Sequence, residues 1–363
     1  MKITEMAVTR ISLPVQGLTT SYGARAGKRD YVFVRLRTAE GLCGYGEASC
    51  LPEFTGETPA SVAAVLKERF RPLVVGRDPF SVAAFHRDVT RQLPHNTTSQ
   101  AAVDMAFHDL IGKATKRPIA DLLGGRVRTQ LETAAAVGIE RPEVTAQLAR
   151  QYAERGHTAI KLKVGTDIER DAQAVAAVRE AVGAGVALRL DANQGLTISH
   201  AYRLIRAVAR HDIQYLEQPV AGWDVKGLRE LRQRGGVPIA ADESNLGVRE
   251  ALQLLQSRAV DYLVVKLVKC GGLFPAAQIL HLADLHRVPC TITSPYETSI
   301  GAAANVQLAA SAARLSGPIE VLNPADIPGD PGRGLCFSGV HANLPAGAGL
   351  GISVAPDLFG ETH

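Results

Sequence analysis

From about residue 130 the chain alternates between two hydrophobic patterns. Short β-rich runs, almost continuously apolar, end in polar residues, and each is followed by a stretch of 3.6-residue periodicity. The runs are TAAAVGI (133–139), AIKLKVG (159–165), VALRLDAN (186–193), IQYLEQP (213–219), PIAADES (238–244), YLVVKL (262–267), VPCTITSP (288–295) and PIEVLN (318–323). Continuous apolar runs are what parallel strands covered on both faces require. One helical stripe runs through Ile168, Asp171, Val175, Val178 and Val182; another, through Val144, Leu148 and Tyr152, stops at Gly156. Eight β-then-α units predict an α/β fold, a (β/α)8 barrel or a close variant, with a doubly wound open sheet as the rival.

Residues 1–125 follow another pattern. ITEMAVTRISLPV, YVFVRLRTAEG and LCGYGEA read as an antiparallel meander, and three helical patterns follow, the last in SQAAVDMAFHDLIGKATKRPIADLLGG (99–125). The expected organisation is an α+β capping domain over 1–125, a barrel over 126–326, and a Gly/Pro-rich tail over 327–363 that folds back on the capping domain. Asp104 and Asp109, on the last capping helix, read as solvated or capping residues.

Composition narrows the function. Lys and Arg number 40 against 36 Asp and Glu, a net charge of +4, too weak to argue for nucleic acid or an anionic membrane. No stretch of 18 apolar residues is present, the N-terminal segment has no apolar signal core, and five cysteines without a CxxC pair imply neither a disulfide framework nor a zinc knuckle. A cytoplasmic protein is expected.

In a barrel the chemistry sits at the C-terminal ends of the strands. There the second strand carries Lys161 and Lys163, the third Asp191 and Asn193, the fourth Glu217, the fifth Asp242 and Glu243, the sixth Lys266, and the seventh runs into Glu297. Asp191, Glu217 and Asp242 are one βα unit apart and are expected to converge at one level. Three clustered carboxylates repel unless a cation neutralises them, and oxygen donors without His or Cys favour Mg2+, with Mn2+ as the alternative. Lys163 and Lys266 bracket this triad. Alternation along the strand puts Lys161 beside Lys163 on one face, where burial and like charge would lower a lysine pKa. The chemistry that needs this set is removal of a proton α to a carboxylate, giving an enediolate whose charge a divalent ion stabilises. Two opposed lysines would remove and return the proton. A Schiff-base aldolase and a barrel holding a metal for structural reasons are the rivals from other classes.

KLKVG (161–165), DAN (191–193), EQP (217–219), ADES (241–244), VVKLVKCGG (264–272) and YETSIG (296–301) resemble, in order and spacing, the muconate-lactonizing-enzyme subgroup of the enolase superfamily. The resemblance covers essentially the whole chain. It implies a modified (β/α)8 TIM-type barrel with an N-terminal α+β capping domain and a homo-oligomer. It also implies Asp191, Glu217 and Asp242 as magnesium ligands, Lys163 and Lys266 as the acid/base pair, Lys161 in support, and Glu297 near the substrate carboxylate and the metal. The histidine base of the mandelate-racemase branch is missing, since no His lies between His286 and His341. The implied activity is a magnesium-dependent isomerase acting on a small carboxylate substrate. Racemisation or epimerisation of an N-acylamino acid or dipeptide-like compound comes first. The alternatives are a muconate-type cycloisomerase and a dehydratase or o-succinylbenzoate-synthase-like lyase. Specificity in such enzymes comes from two capping loops, here about 16–30 and 50–58, and from the last strands. Dipeptide epimerases carry an Asp-x-Asp pair on the eighth strand where this chain has Glu320 and Leu322. The first loop offers Arg25, Lys28 and Arg29 as partners for a distal anionic group, or simply as solvated surface charge.

Overall fold

The structure, a computed structural model, describes residues 1–24 and 27–360. Seven parallel strands run in chain order around the barrel: Ala135–Val137, Ala159–Lys163, Ala187–Asp191, Ile213–Glu217, Ile239–Ala241, Tyr262–Val265 and Cys290–Ile292. The eighth run forms no extended ladder. It closes the ring through two parallel bridges, Ile319 to Thr133 on one side and Glu320 to Thr293 on the other. Ile319 N–H donates to Glu132 O (2.9 Å) and Glu320 N–H to Ile292 O (2.8 Å). Pro318 and Pro324 flank this stretch and cannot donate to a ladder, which keeps the pairing short.

The surrounding helices bury the stripes that the periodicity foretells. In Ile198–Val208 the buried positions are Ala201, Leu204, Ile205 and Val208. In Pro142–Glu154 the buried centre is Thr145 and Ala149, one position off the predicted stripe, and Val144, Leu148 and Tyr152 flank it half-buried. In Ile168–Val182 the one polar member of the stripe, Asp171, is buried because it accepts from Gly165 N–H at 2.7 Å. It thereby fixes the loop that follows the second strand.

The N-terminal sheet pairs Ile3–Pro14, Lys28–Thr38 and Cys43–Ser49 antiparallel, in that order, as the meander pattern predicts. Helix Thr97–Thr115 lies against the last of these strands. Gly44 and Gly46 permit the approach: a Cβ on Gly46 would fall on the carbonyl oxygen of Ala102, and one on Gly44 on that of Ala106. Both obstacles are backbone, which cannot swing away. Gly46→Ala is therefore expected to destabilise the protein by about 1–3 kcal/mol or more, read as a drop in the denaturant midpoint.

The tail touches both regions. His341–Asn343 pairs antiparallel with Gln130–Glu132, and the Phe359 ring meets Tyr45 and the Arg35 guanidinium on the N-terminal sheet. Asp109 is buried there and accepts from Tyr45 N–H, Leu350 N–H and Lys113 Nζ. Asp104 is buried too, and it caps a helix to which it does not belong. It accepts from Leu273 N–H (2.5 Å) at the start of Leu273–Leu285 and pairs with His86 Nε2 (2.7 Å) and His108 Nδ1 (3.3 Å). Neither aspartate is solvated, because each is the polar centre of a junction between elements far apart in sequence.

Burial opposes a charge on His108, but the Asp104 carboxylate outweighs it and raises the imidazole above its ordinary value near 6.5. The stability this pair contributes is complete below that value and is lost as pH rises through the raised one. Thermal midpoints are therefore expected to fall as pH rises from about 6.5 through that raised value, and His108→Asn is expected to flatten that slope. Asp104→Ala, which strips partners from two histidines and a helix end, is expected to cost about 3–5 kcal/mol.

No helix among the described residues is long and apolar enough to cross a membrane.

Candidate active site

The strand register builds the site. Lys163 pairs with Asp191 and Asp191 with Glu217, so these three residues share one rung of the sheet. Glu217 is level with Ala240, which places Asp242 two residues beyond that rung, and Lys266 follows at the end of the sixth strand. The carboxylates thus climb as a staircase and do not sit at one level, as expected for strands tilted in a barrel. All are almost completely buried, and the chain turns sharply just past two of them: Asn193 and Gln218 have φ of 42° and 36°. Such left-handed conformations store strain at functional turns.

Each acid is held by an ammonium group. Lys163 Nζ donates to Asp191 (2.5 Å) and to Asn193 Oδ1 (2.9 Å). Lys161 Nζ lies 2.6 Å from Glu217 and also contacts Glu320. Asp242 takes Lys266 on Oδ2 and Lys269 on Oδ1 (2.6 Å). Among the described residues no three acidic, His or Cys side chains stand together closely enough to hold an ion in this conformation. An ammonium group stands against each of the three acids instead: Lys163 against Asp191, Lys161 against Glu217, and Lys266 and Lys269 against Asp242.

The set nevertheless fits a divalent cation. Glu217 Oε1 is buried without any hydrogen-bond donor. Burial, then repulsion from Asp191, push the Glu217 carboxyl well above its usual range, against the pull of Lys161. Its counter-charge, Lys161, stands at the other oxygen and is shared with Glu320, and the ligand atoms that the three acids offer a cation are all oxygen.

The lysines respond to the same field. Burial works to discharge Lys266, yet Asp242 dominates and raises it; Lys161 is likewise raised, by Glu217 and Glu320 against burial. Lys269 goes the other way: burial, the largest influence on it, lowers it despite its contact with Asp242.

Lys161, Lys163, Asp191, Asn193 and Lys266 line one cavity at the barrel mouth, which the capping loops close with Leu18, Leu51 and Phe54. The Lys266 ammonium stands 4.4 Å from the centre of the Phe54 ring. Glu243 lies just outside the lining. Its carboxylate accepts from Asn193 Nδ2 (3.2 Å) and from the Tyr22 hydroxyl (2.8 Å), which pins the first capping loop over the site. Burial, then Asp242, push Glu243 up to about 7.

Other expected site residues are placed differently. Glu297 is absent from the described lining. Its carboxylate accepts from Asn305 Nδ2 (2.6 Å) on helix Ser299–Ser311, its other oxygen has no partner, and burial pushes it up to about 7. Lys28 is exposed on its strand and lines a separate shallow cleft with Glu53 and Asp30. Arg25 lies outside the described residues. Of the loop cations, Arg29 reaches the mouth, donating to Pro295 O with its guanidinium 5.6 Å from the Tyr296 ring.

Two residues that the sequence reading passed over belong to this site. Lys269 is fully buried and also donates to Asp242 O (2.5 Å) and Val264 O (3.0 Å). Gln218 Oε1 accepts from Asp242 N–H and Ser244 N–H, both at 3.0 Å, and so fixes the turn that bears Asp242. The second lysine of VVKLVKCGG and the Gln of EQP were the only local signals for them.

Residues 3–124 match the N-terminal domain of the mandelate racemase/muconate lactonizing enzyme family, and residues 143–358 match the enolase C-terminal domain-like family. The chain belongs to the enolase superfamily, in its mandelate racemase/muconate lactonizing branch. Within the superfamily it is similar to an N-succinyl-L-Arg/Lys racemase of Bacillus cereus, 31% identical over 99% of this chain and 98% of that one. The crystal structure of that racemase superposes with a TM-score of 0.95 at 30% identity, covering 99% and 97% of the two chains. A hydrophobic dipeptide epimerase of Enterococcus faecalis is 36% identical over 86% of this chain and 88% of its own. That enzyme's complex with Mg and the dipeptide L-Leu-L-Tyr superposes with a TM-score of 0.92 at 34% identity, covering 97% and 100%. A cis-3-hydroxy-L-proline dehydratase of Roseibium aggregatum is 31% identical over 86% and 84%. The two solved structures superpose over nearly the whole chain, so the modified barrel and its capping domain are common to them and to this protein.

Proposed function

We propose that this protein is a metal-dependent isomerase that racemises or epimerises an amino-acid derivative by moving its α-proton. The observation that carries the reading is the joint opening of Lys163 and Lys266, from the second and sixth strands, onto one cavity that also contains Asp191. In this reading one lysine accepts the α-proton and the other donates a proton to the opposite face of the same carbon, so the configuration inverts with no net loss of hydrogen. Asp191, Glu217 and Asp242 would hold Mg2+ or Mn2+, and such an ion stabilises the two negative oxygens that develop on the substrate carboxylate. Lys161 balances Glu217 from below, and Lys269 holds Asp242 when Lys266 turns to substrate. Phe54, Leu51 and Leu18 exclude water and strengthen every charge interaction inside.

The full-length likeness to a racemase of N-succinylated amino acids and to a dipeptide epimerase supports the same chemistry. The test is proton exchange in D2O with Mg2+, using N-acylamino acids and dipeptides and following deuterium at the α-carbon by NMR. Deuterium uptake accompanied by loss of optical rotation is expected. A panel that binds but neither exchanges nor inverts refutes the reading.

A further inference from the structure

Lys163 and Lys266 are placed by different parts of the molecule. The loop after Lys163 is fixed within its own βα unit, where Gly165 N–H donates to Asp171 (2.7 Å) on the helix that follows. Lys266 instead begins a segment that reaches out of the barrel. It precedes the single helical turn Leu267–Cys270, and its carbonyl oxygen accepts from Lys269 N–H and Cys270 N–H, both at 3.1 Å. Gly271 N–H and Gly272 N–H close that turn on Leu267 O (3.0 and 2.9 Å), and helix Leu273–Leu285 starts at the next residue. Lys266 is therefore joined to Leu273 by a short hydrogen-bonded turn with little slack.

The far end of that turn rests on the capping domain. Leu273 N–H (2.5 Å) and, at longer range, Phe274 N–H (3.4 Å) donate to the Asp104 carboxylate. The two glycines, with φ of 97° and 119°, pass directly over the helix that bears Asp104. A Cβ on Gly272 would come within 2.5 Å of Asp104 Cβ, and one on Gly271 within 3.1 Å of Gln100 Oε1, one helical turn earlier. Asp104 is wholly buried, and His86 Nε2 (2.7 Å) and His108 Nδ1 (3.3 Å) hold it in place. The same helix, Thr97–Thr115, is tied near its N-terminus to the second capping loop: Thr98 N–H (2.7 Å) and Ser99 N–H (3.2 Å) donate to Glu57. That loop also bears Phe54, whose ring lies against the Lys266 ammonium. The capping domain thus holds Lys266 twice, at its ammonium through Phe54 and at its turn through Asp104.

We infer that Asp104 is a positioning residue for Lys266: from the capping domain it fixes the turn that carries this lysine, and so governs proton transfer on one face of the substrate carbon while the Lys163 face is left unchanged. The inference rests on the α-proton-transfer reading above. It is tested by α-proton exchange in D2O with Mg2+, measured separately from the two enantiomers of one N-acylamino acid or dipeptide that the wild type racemises. Lys266→Met identifies the enantiomer that Lys266 serves, as the one whose exchange it abolishes.

Asp104→Ala is expected to slow exchange from that enantiomer roughly 10–100-fold, the cost of a misplaced catalytic group. KM and exchange from the other enantiomer should stay close to the wild type. Asp104→Asn, whose amide oxygen can still accept from Leu273 N–H, is expected to restore the lost rate. Thermal melts establish that each variant is folded at the assay temperature. If Asp104→Ala does not fold, Gly272→Ala takes its place, because it disturbs the same contact from the barrel side and keeps the histidine partners of Asp104; the same one-sided loss is expected. Equal slowing from both enantiomers in a folded variant, no slowing from either, or a loss that Asp104→Asn shares in full would each overturn the inference while leaving proton transfer intact. If Lys266→Met spares exchange from both enantiomers, the proton-transfer reading itself fails and this inference fails with it.

Discussion

Lys266→Met and Lys163→Met are each expected to lower racemisation by about a thousandfold, within the span of 10²–10⁴ ascribed to one positioned acid or base, while leaving the fold intact. Asp242 retains Lys269 when Lys266 is removed, and Asp191 retains the Asn193 N–H when Lys163 is removed, so neither change strands a bare carboxylate. The informative readout is one-sided exchange. Each variant should still wash out the α-proton of the enantiomer that presents it to the surviving lysine, and should fail with the other enantiomer. Equal loss of exchange from both enantiomers in both variants would assign the lysines to binding or charge balance. Full activity in either variant would remove that lysine from the chemistry.

Withdrawing divalent ions with EDTA is expected to abolish turnover, with recovery on Mg2+ or Mn2+, and Glu217→Gln is expected to lose about a thousandfold even at saturating metal. Stability should move the other way. Glu217 is buried, repelled by Asp191, and has an oxygen that no donor reaches. The amide removes a repelled charge, and Lys161 keeps Glu320 as its partner. The expected outcome for the metal-free protein is a thermal midpoint equal to or above that of the wild type, alongside a loss of metal affinity measurable by calorimetry. A variant that unfolds would instead mark Glu217 as a structural anchor. A change of this kind, in which activity is lost and stability is held or gained, is the signature of a site that keeps like charges together for chemistry.

Much of this arrangement was legible along the chain because strand geometry is periodic. Lys161 and Lys163 share a face by alternation, and Lys163, Asp191 and Glu217 fall on one rung because each closes a strand of the same parallel ladder. The N-terminal meander was equally plain in its alternation and turn residues. The eighth strand was readable as a run, but its reduction to two bridges depends on what Pro318 and Pro324 cannot donate to their neighbours.

What the sequence by itself determined is the order of elements and the residue types at the strand ends, since both follow from local periodicity and from one side chain per position. What only the tertiary structure decided is which charge meets which. Lys269 reaches Asp242 across 27 positions, Arg189 reaches Glu320 across 131, and Asp104 leaves its own helix to cap another 169 residues away. Nothing in a local pattern encodes such pairings. The same holds for Glu297, which turns toward Asn305, and for the lysines, of which Lys266 is raised by Asp242 while burial lowers Lys269. Electrostatic energy depends on distance through the folded protein and on the dielectric between the groups, and both exist only once the barrel has closed.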